Sequence, residues 1–288
     1  MTGADFQVLD GGRIEVTAEF WPVLAASGLK QFSAVMALEG EMMRSVPGRS
    51  TVRVELRQPD GRPLRAYLKR YEPEYLKAGK RMLRRLGWQG AGDEAMREWN
   101  AILALRAAGF ATAQAIALGQ ERRGGMVRRS FLLTAEIHRG VAAHDYARTL
   151  DAGRRRQFAR EVGDLTRRFH RAGFAHRDLY LSHIFVVPAP AGGRELFLID
   201  LQRLFRPRLF RRRWLVKDLA QLGYTAQLAG GSRTDLLRFY HAYVQKPGLA
   251  REDKRLLRRV ARRIAALHAR PPKYDVIWDR PGVRPPNV

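Results

Sequence analysis

Cysteine is absent from the 288 residues, which excludes disulfides, thiolate nucleophiles and zinc–thiolate sites and agrees with a reducing compartment. No apolar run approaches the roughly 18 residues that a bilayer-spanning helix needs. Residues 1–12 carry neither the charged segment nor the apolar stretch of a secretion signal, so a cytoplasmic protein is expected. Internal repeats are missing too, and the one biased tract is the Pro-rich end, 271–288. Acidic residues are scarce: 28 Asp and Glu stand against 53 Lys and Arg, a formal net charge of +25. That excess implies a polyanionic partner, and charge alone does not rank nucleic acid, an anionic membrane surface, a phosphorylated glycolipid and an acidic protein. A coding bias toward arginine explains part of the excess but not its clustering.

What is present is a chain with 45% hydrophobic residues, enough for one two-lobed domain or two small ones. Thr51 to Arg57 alternates strictly, Pro59-Asp60-Gly61 makes a turn, and Leu64 to Lys69 resumes extended structure, the pattern of a β-hairpin. From Ala91 to Gly109 the pattern is helical, with Glu94, Glu98, Ile102 and Leu105 on one face and Gly109 as C-cap. Short extended segments, Ala115 to Gly119 and Ser130 to Glu136, flank a turn at Gly124-Gly125. Ala152 to Ala172 places Phe158, Val162, Leu165 and Phe169 on one helical stripe. A strand-rich first half followed by a helix-rich second half predicts an α+β, protein-kinase-like bilobal fold. Residues 1–137 form a small antiparallel-sheet lobe, and residues 138–288 a mainly helical lobe.

The chemistry concentrates in His176-Arg177-Asp178-Leu179-Tyr180-Leu181-Ser182-His183 and in the strand Leu196 to Ile199, which ends on Asp200. Phosphoryl transfer from ATP needs one carboxylate to receive the acceptor's proton and another to hold Mg²⁺ on the phosphates. Asp178 is the candidate base and Asp200 the candidate metal ligand, with His176, Arg177 and His183 completing the catalytic loop. His183 orients Asp178 or a phosphate, or is a packed histidine; imidazole is a poor ligand for so hard a cation. Lys69 is the candidate phosphate clamp, against a plain surface lysine, and Glu98 its ion-pair partner, with Glu94 one turn earlier as fallback. A G-x-G-x-x-G loop is lacking: only Glu39-Gly40-Glu41 and Pro47-Gly48-Arg49 offer glycine before the hairpin, so Gly40 is the nucleotide-loop candidate. Ser130 to Glu136 reads as a core strand or as a strand entering a hinge, where backbone near Glu136 meets adenine. Asp218 either holds the backbone of the catalytic loop or is a carboxylate favoured at a helix N-terminus.

The positive charge falls in three places. Arg203, Arg206, Arg208, Arg211, Arg212 and Arg213 follow Asp200 with no Ala-Pro-Glu motif, which suits a short lip meeting a small or lipid-bound acceptor. Arg203, Arg206 and Arg208 are its candidate acceptor-binding groups, since guanidinium pairs bidentately with phosphate; a solvated loop is the plain alternative. Lys254, Arg255, Arg258, Arg259, Arg262 and Arg263 lie opposite a stripe of Leu257, Val260, Ile264 and Leu267, so that the stripe packs on the lobe while the charges attract a membrane. Lys77, Lys80, Arg81, Arg84 and Arg85 form the third cluster.

With these residues in place the chain resembles the lipopolysaccharide kinase (Kdo/WaaP) family, in particular its inner-core heptose kinases. The likeness runs from about Leu29 to Leu222. It is carried by Met36 to Glu41, Tyr67-Leu68-Lys69-Arg70, Arg97-Glu98-Trp99, Ala108 to Thr112, the His176–His183 loop and Ile199-Asp200-Leu201. The family's loop has Cys where this chain has Ser182, and it includes the histidine at 183. The resemblance implies ATP and Mg²⁺ as cosubstrates and transfer of phosphate to a heptose or Kdo hydroxyl of lipid-linked core saccharide. It places that reaction at the inner face of the cytoplasmic membrane, with peripheral attachment to an anionic surface. Nucleic acid is not the expected partner, and the oligomeric state is left open. Two rivals stand beside this reading: another small-molecule phosphotransferase of the same fold, and an inactive kinase-like scaffold that binds membranes or nucleic acid.

Overall fold

The structure is a computed structural model, and it describes residues 5–72, 94–189, 193–246 and 248–269. The chain divides into two compact units at Ile137 and His138.

The first unit is built on an antiparallel sheet of β1 (Phe6–Leu9), β2 (Ile14–Thr17), β3 (Glu41–Val46), β4 (Arg49–Arg57), β5 (Pro63–Tyr71), β6 (Ala115–Arg123) and β7 (Met126–Ala135). Their order is β1-β2-β6-β7-β5-β4-β3. The alternation seen in the sequence is realised in β4, where Val52, Val54 and Leu56 are buried and Glu55 and Arg57 are exposed. One sheet face is covered by the short helices α1 (Trp21–Ala26) and α2 (Phe32–Met36), whose Leu24, Phe32 and Val35 share a core with Val52, Leu68 and Phe131. On the other lies α3 (Glu94–Ala107), which contacts β5, β6 and β7. Because side chains alternate along a strand, Ala66 and Leu68 enter the first core, while Tyr67, Lys69 and Tyr71 point the other way. Burial on both faces is why β5 carries so few exposed positions.

β1 and β2 have no counterpart among the expected strands. They are four residues each, too short for period-two alternation to stand out. β6 and β7 run longer than expected, meeting at Gly124 and Gly125, whose φ values of 56° and 74° suit a tight hairpin. Gly109 caps α3 with φ 77°. Glu94, placed on the apolar face by the helical count, is exposed, whereas Glu98, Ile102 and Leu105 are buried.

The second unit is mainly helical, with α4 (Ala143–Arg148), α5 (Ala152–Arg171), α6 (Arg211–Leu228), α7 (Arg233–Val244) and α8 (Arg251–His268). A small sheet of β8 (Val141–Ala142), β9 (Ile184–Pro188) and β10 (Arg194–Leu198) in the order β10-β9-β8 accompanies them. Asp151 caps α5 by accepting from the Arg154 N–H at 2.8 Å, and the helix buries the four expected residues Phe158, Val162, Leu165 and Phe169. Helix α5 packs along α7, and α6 along α8. The second contact needs Gly223, where a Cβ would lie 2.6 Å from Ile264 Cδ1. The stripe of α8 is thus core, through Val260, Ile264 and Leu267 against Leu219 and Ala220. Lys254, Arg255, Arg258, Arg259 and Arg262 remain exposed and Arg263 is half-buried. Among the described residues no helix is long and apolar enough to cross a membrane. The cluster from Lys77 to Arg85 and the Pro-rich end lie outside the described residues.

Candidate active site

In the first unit Lys69 is only 3% exposed. Its ammonium donates to Glu98 Oε1 at 2.7 Å, and the Tyr71 hydroxyl donates to Glu98 Oε2 at 3.4 Å. The register of β5 fixes this geometry: Lys69 sits between Thr51 on β4 and Leu132 on β7, on the face that α3 covers. The surface-lysine alternative is therefore removed. Glu94 instead approaches Arg97 at 4.0 Å.

In the second unit the loop from His176 to His183 hangs from α6. Asp218 is fully buried and accepts the backbone N–H groups of His176 at 2.8 Å and Arg177 at 2.9 Å, with the His170 ring at 3.4 Å. It lies seven residues inside a helix that begins at Arg211, about two turns from the N-terminus. The macrodipole alternative thus fails, because that field fades beyond the first turn. Gln221 Oε1 accepts from the Leu179 N–H at 3.3 Å, and Thr225 Oγ1 from the Leu181 N–H at 3.1 Å. These anchors hold Arg177 at φ 72°, a left-handed conformation that costs a non-glycine residue on the order of 1–2 kcal/mol. Its guanidinium lies over the Phe205 and Trp214 rings at 5.6 and 5.2 Å.

The His176 Nε2–H donates to the Ile199 carbonyl at 3.0 Å, and burial pushes its pKa below the ordinary histidine value. The His183 Nδ1–H donates to the Asp178 carbonyl at 2.7 Å. That bond leaves Nε2 facing Asp200 Oδ2 at 3.7 Å, beyond hydrogen-bond distance, so that one imidazole is bonded to the backbone of the first carboxylate residue and stands beside the side chain of the second. Asp200 sits at φ 55° and its side chain is 28% exposed. The Asp178 carboxylate is gripped by Arg203 Nη1, at 2.9 Å from Oδ1 and 2.8 Å from Oδ2, and Lys217 Nζ stands 3.6 Å from Oδ1. Burial lowers the Lys217 pKa, with Asp178 acting in the opposite sense.

The sequence profile of the lipopolysaccharide kinase (Kdo/WaaP) family matches residues 33–243, a span that contains both constellations. The chain belongs to this family. Among relatives of this lipopolysaccharide kinase, the lipopolysaccharide core heptose(I) kinase WaaP of Pseudomonas aeruginosa is 32% identical over 262 residues, 86% of this chain and 94% of that one. The enzyme of the same description from Escherichia coli is 30% identical over 229 residues, 76% of this chain and 83% of that one. A solved structure described as WaaP in complex with acyl carrier protein superposes with a TM-score of 0.67 at 28% identity, covering 89% of this chain and 99% of that chain. As a member of a kinase family, the protein uses ATP.

Several candidate residues of this kinase take up other positions than the sequence suggested. Gly40 immediately precedes β3, at the open end of the β3–β4 hairpin and away from its turn, which is Pro47-Gly48 with Gly48 at φ 80°. Packing demands a glycine there: a Cβ at position 40 would lie 2.1 Å from the Arg53 carbonyl oxygen. The Glu136 N–H is spent on the Arg65 carbonyl at 2.9 Å, and its carboxylate accepts from the Tyr67 hydroxyl at 3.1 Å, so that donor is committed within the sheet. Arg203 is engaged with Asp178, and Arg206 stacks on Phe174 at 4.4 Å. Neither Arg206 nor Arg208 forms a hydrogen bond or ion pair among the described residues, and Arg208 lacks the ring contact that Arg206 makes. Sequence reasoning missed Lys217, Gln221 and Thr225, although their i, i+4, i+8 spacing marks a polar stripe on one helical face.

Proposed function

We propose that the protein transfers the γ-phosphate of ATP to a heptose hydroxyl of the lipopolysaccharide inner core, working against the inner leaflet of the cytoplasmic membrane. The observation that carries this reading is the pinned loop. Asp178 is held from behind by the Asp218 carboxylate through its neighbours' amides, and from the side by Arg203 and Lys217, while staying 20% exposed. A base needs that combination of fixed direction and access.

In this reading Asp178 takes the acceptor hydroxyl's proton. Arg203 and Lys217 keep its carboxylate aimed, and His183 and Asp218 are positioning residues. Lys69 grips the α and β phosphates, and Glu98 holds it extended. Asp200 would offer carboxylate oxygen to Mg²⁺, the ligand type that so hard a cation prefers, while the His183 ring faces that carboxylate without being a ligand itself. Bound there, such an ion would supply charge neutralisation on the phosphates. The Pro47-Gly48 hairpin takes over from Gly40 as the nucleotide-loop candidate. Acyl carrier protein, the partner in the related WaaP structure, becomes a candidate partner here, since a net charge of +25 favours an acidic protein.

The test is to supply labelled ATP with separate lipid-linked heptose and Kdo acceptors. Label on the heptose acceptor is expected. Label on Kdo alone would reassign the sugar, and label on an aminoglycoside but on neither saccharide would overturn the reading.

A further inference from the structure

The segment after Arg203 ends in a tip that the chemistry above does not use. Leu209 is 74% exposed and Phe210 79%, the largest exposures among the large hydrophobic residues described. Scattered exposed apolar residues are ordinary, but these two are adjacent, and the backbone presents them. Phe210 adopts φ 54° and ψ 32° as the residue preceding α6, with its carbonyl accepting from the Arg213 N–H at 2.9 Å. A bulky side chain in that conformation is rare.

The base of the tip is fastened. Arg206 stacks on Phe174, Arg211 donates to the His170 carbonyl, and Arg213 lies over Trp214 at 5.5 Å. Arg208 and Arg212 flank the apolar pair, exposed and without a hydrogen bond or ion pair among the described residues. No acidic residue occurs between Asp200 and Asp218. The result is an apolar point inside a purely cationic collar.

We propose that Leu209 and Phe210 insert into the headgroup region of an anionic bilayer while Arg208 and Arg212 pair with lipid phosphates. This seats the segment that begins beside Asp178 on the surface that carries the acceptor. It deepens the reading above and rests on the acceptor being lipid-linked. Charge complementarity selects the occupant: an anionic membrane offers both a negative surface potential and an interface that accepts Leu and Phe. A nucleic acid backbone rewards only the arginines. The exposed basic face of α8 differs in kind. Its apolar stripe is spent on α6, so it attracts a surface without entering it.

The experiment uses the full chain with vesicles of mixed phosphatidylglycerol and phosphatidylcholine, and pure phosphatidylcholine as control. Leu209→Ser/Phe210→Ser is expected to weaken binding to the mixed vesicles roughly 30-fold, from the loss of two partly buried apolar side chains. Turnover on a delipidated core saccharide should be retained. Because the chain has no cysteine, Phe210→Cys takes a single environment-sensitive fluorophore. Its emission should shift to the blue with anionic vesicles and stay unchanged with duplex DNA. Wild-type vesicle affinity in the double variant overturns the insertion, as does a probe that stays in water or responds to DNA alone; both leave the kinase reading intact. Absent turnover on delipidated and lipid-linked core saccharide alike, with full vesicle binding, would remove the kinase reading and leave the insertion standing.

Discussion

The two constellations bury charge in opposite ways. In the first unit a cation and an anion seal each other, Lys69 and Glu98 each having side chains 4% exposed. In the second the buried charge is Asp218 alone, balanced by backbone amides and a histidine, while Asp178, Arg203 and Lys217 stay open to water. A buried ion pair is held by both members and fails when either is removed. A partly exposed carboxylate beside one exposed and one half-buried cation contributes less to stability than a sealed pair, which leaves it free for chemistry. The two constellations should therefore answer differently to mutation.

Asp178→Asn is the largest expected effect, and it falls on rate alone. Removing a general base lowers kcat by about 10³-fold, whereas the fold should lose little, because the carboxylate is open to water and its closest partner, Arg203, is exposed. Melting temperature, ATP affinity and turnover of the variant check this together. Loss of ATP affinity as large as the loss in turnover would show that Asp178 acts in binding rather than in proton transfer.

Lys69→Ala should show the reverse pattern in stability. Leaving Glu98 unpaired in the sheet core costs about 3–5 kcal/mol, read as a lowered urea midpoint. Lys69→Met/Glu98→Leu should recover most of that stability while ATP binding stays lost. A double variant no more stable than Lys69→Ala would mean that the pair itself, rather than the stranded charge, supports the unit.

Asp218→Asn tests the buried anion. Its carboxamide would set an NH₂ against one of two backbone N–H donors, at about 2–3 kcal/mol, and should slow turnover by releasing the loop. The sharpest readout is a split in kinetics: kcat falls while KM for ATP holds.

The legibility of the site follows the same division. Lys69, Glu98, Asp178 and Asp200 could be singled out as candidates because each is a charged residue at a fixed distance from a patterned element. The β4–β5 hairpin, α3 and α5 were readable because alternation and helical stripes report which face is buried. The packing reason for Gly40 was not readable: it is the Arg53 carbonyl, 13 positions away on β4, and no local pattern records such an approach. Arg203 was misread for a related cause: an arginine's nearest carboxylate is set by tertiary contact. β1 and β2 were too short to show a period. Asp218 was weighed evenly because its decisive feature, depth within α6, depends on where the helix begins, and Arg211 to Arg213 look like loop.

The smallest expected effect concerns His176, the one titrating ring sealed wholly inside the loop, and it works through pH. Burial holds its folded-state pKa below the ordinary value of 6.5, so the folded protein refuses a proton that the unfolded chain accepts. By linkage the unfolded state binds more protons in the window from about 6.5 down to the depressed folded value, and stability falls as pH drops through it. Above 6.5 the contribution is complete. One such group gives a slope of at most about 1.4 kcal/mol per pH unit. Urea unfolding of the wild type and of His176→Gln at successive pH values isolates that slope, because the variant keeps every other titrating group. The wild type should lose stability faster on acidification below pH about 6.5, with an extra slope no steeper than that. Parallel curves would mean that the ring takes up its proton while folded, and that the Ile199 carbonyl and the nearby carboxylates outweigh burial.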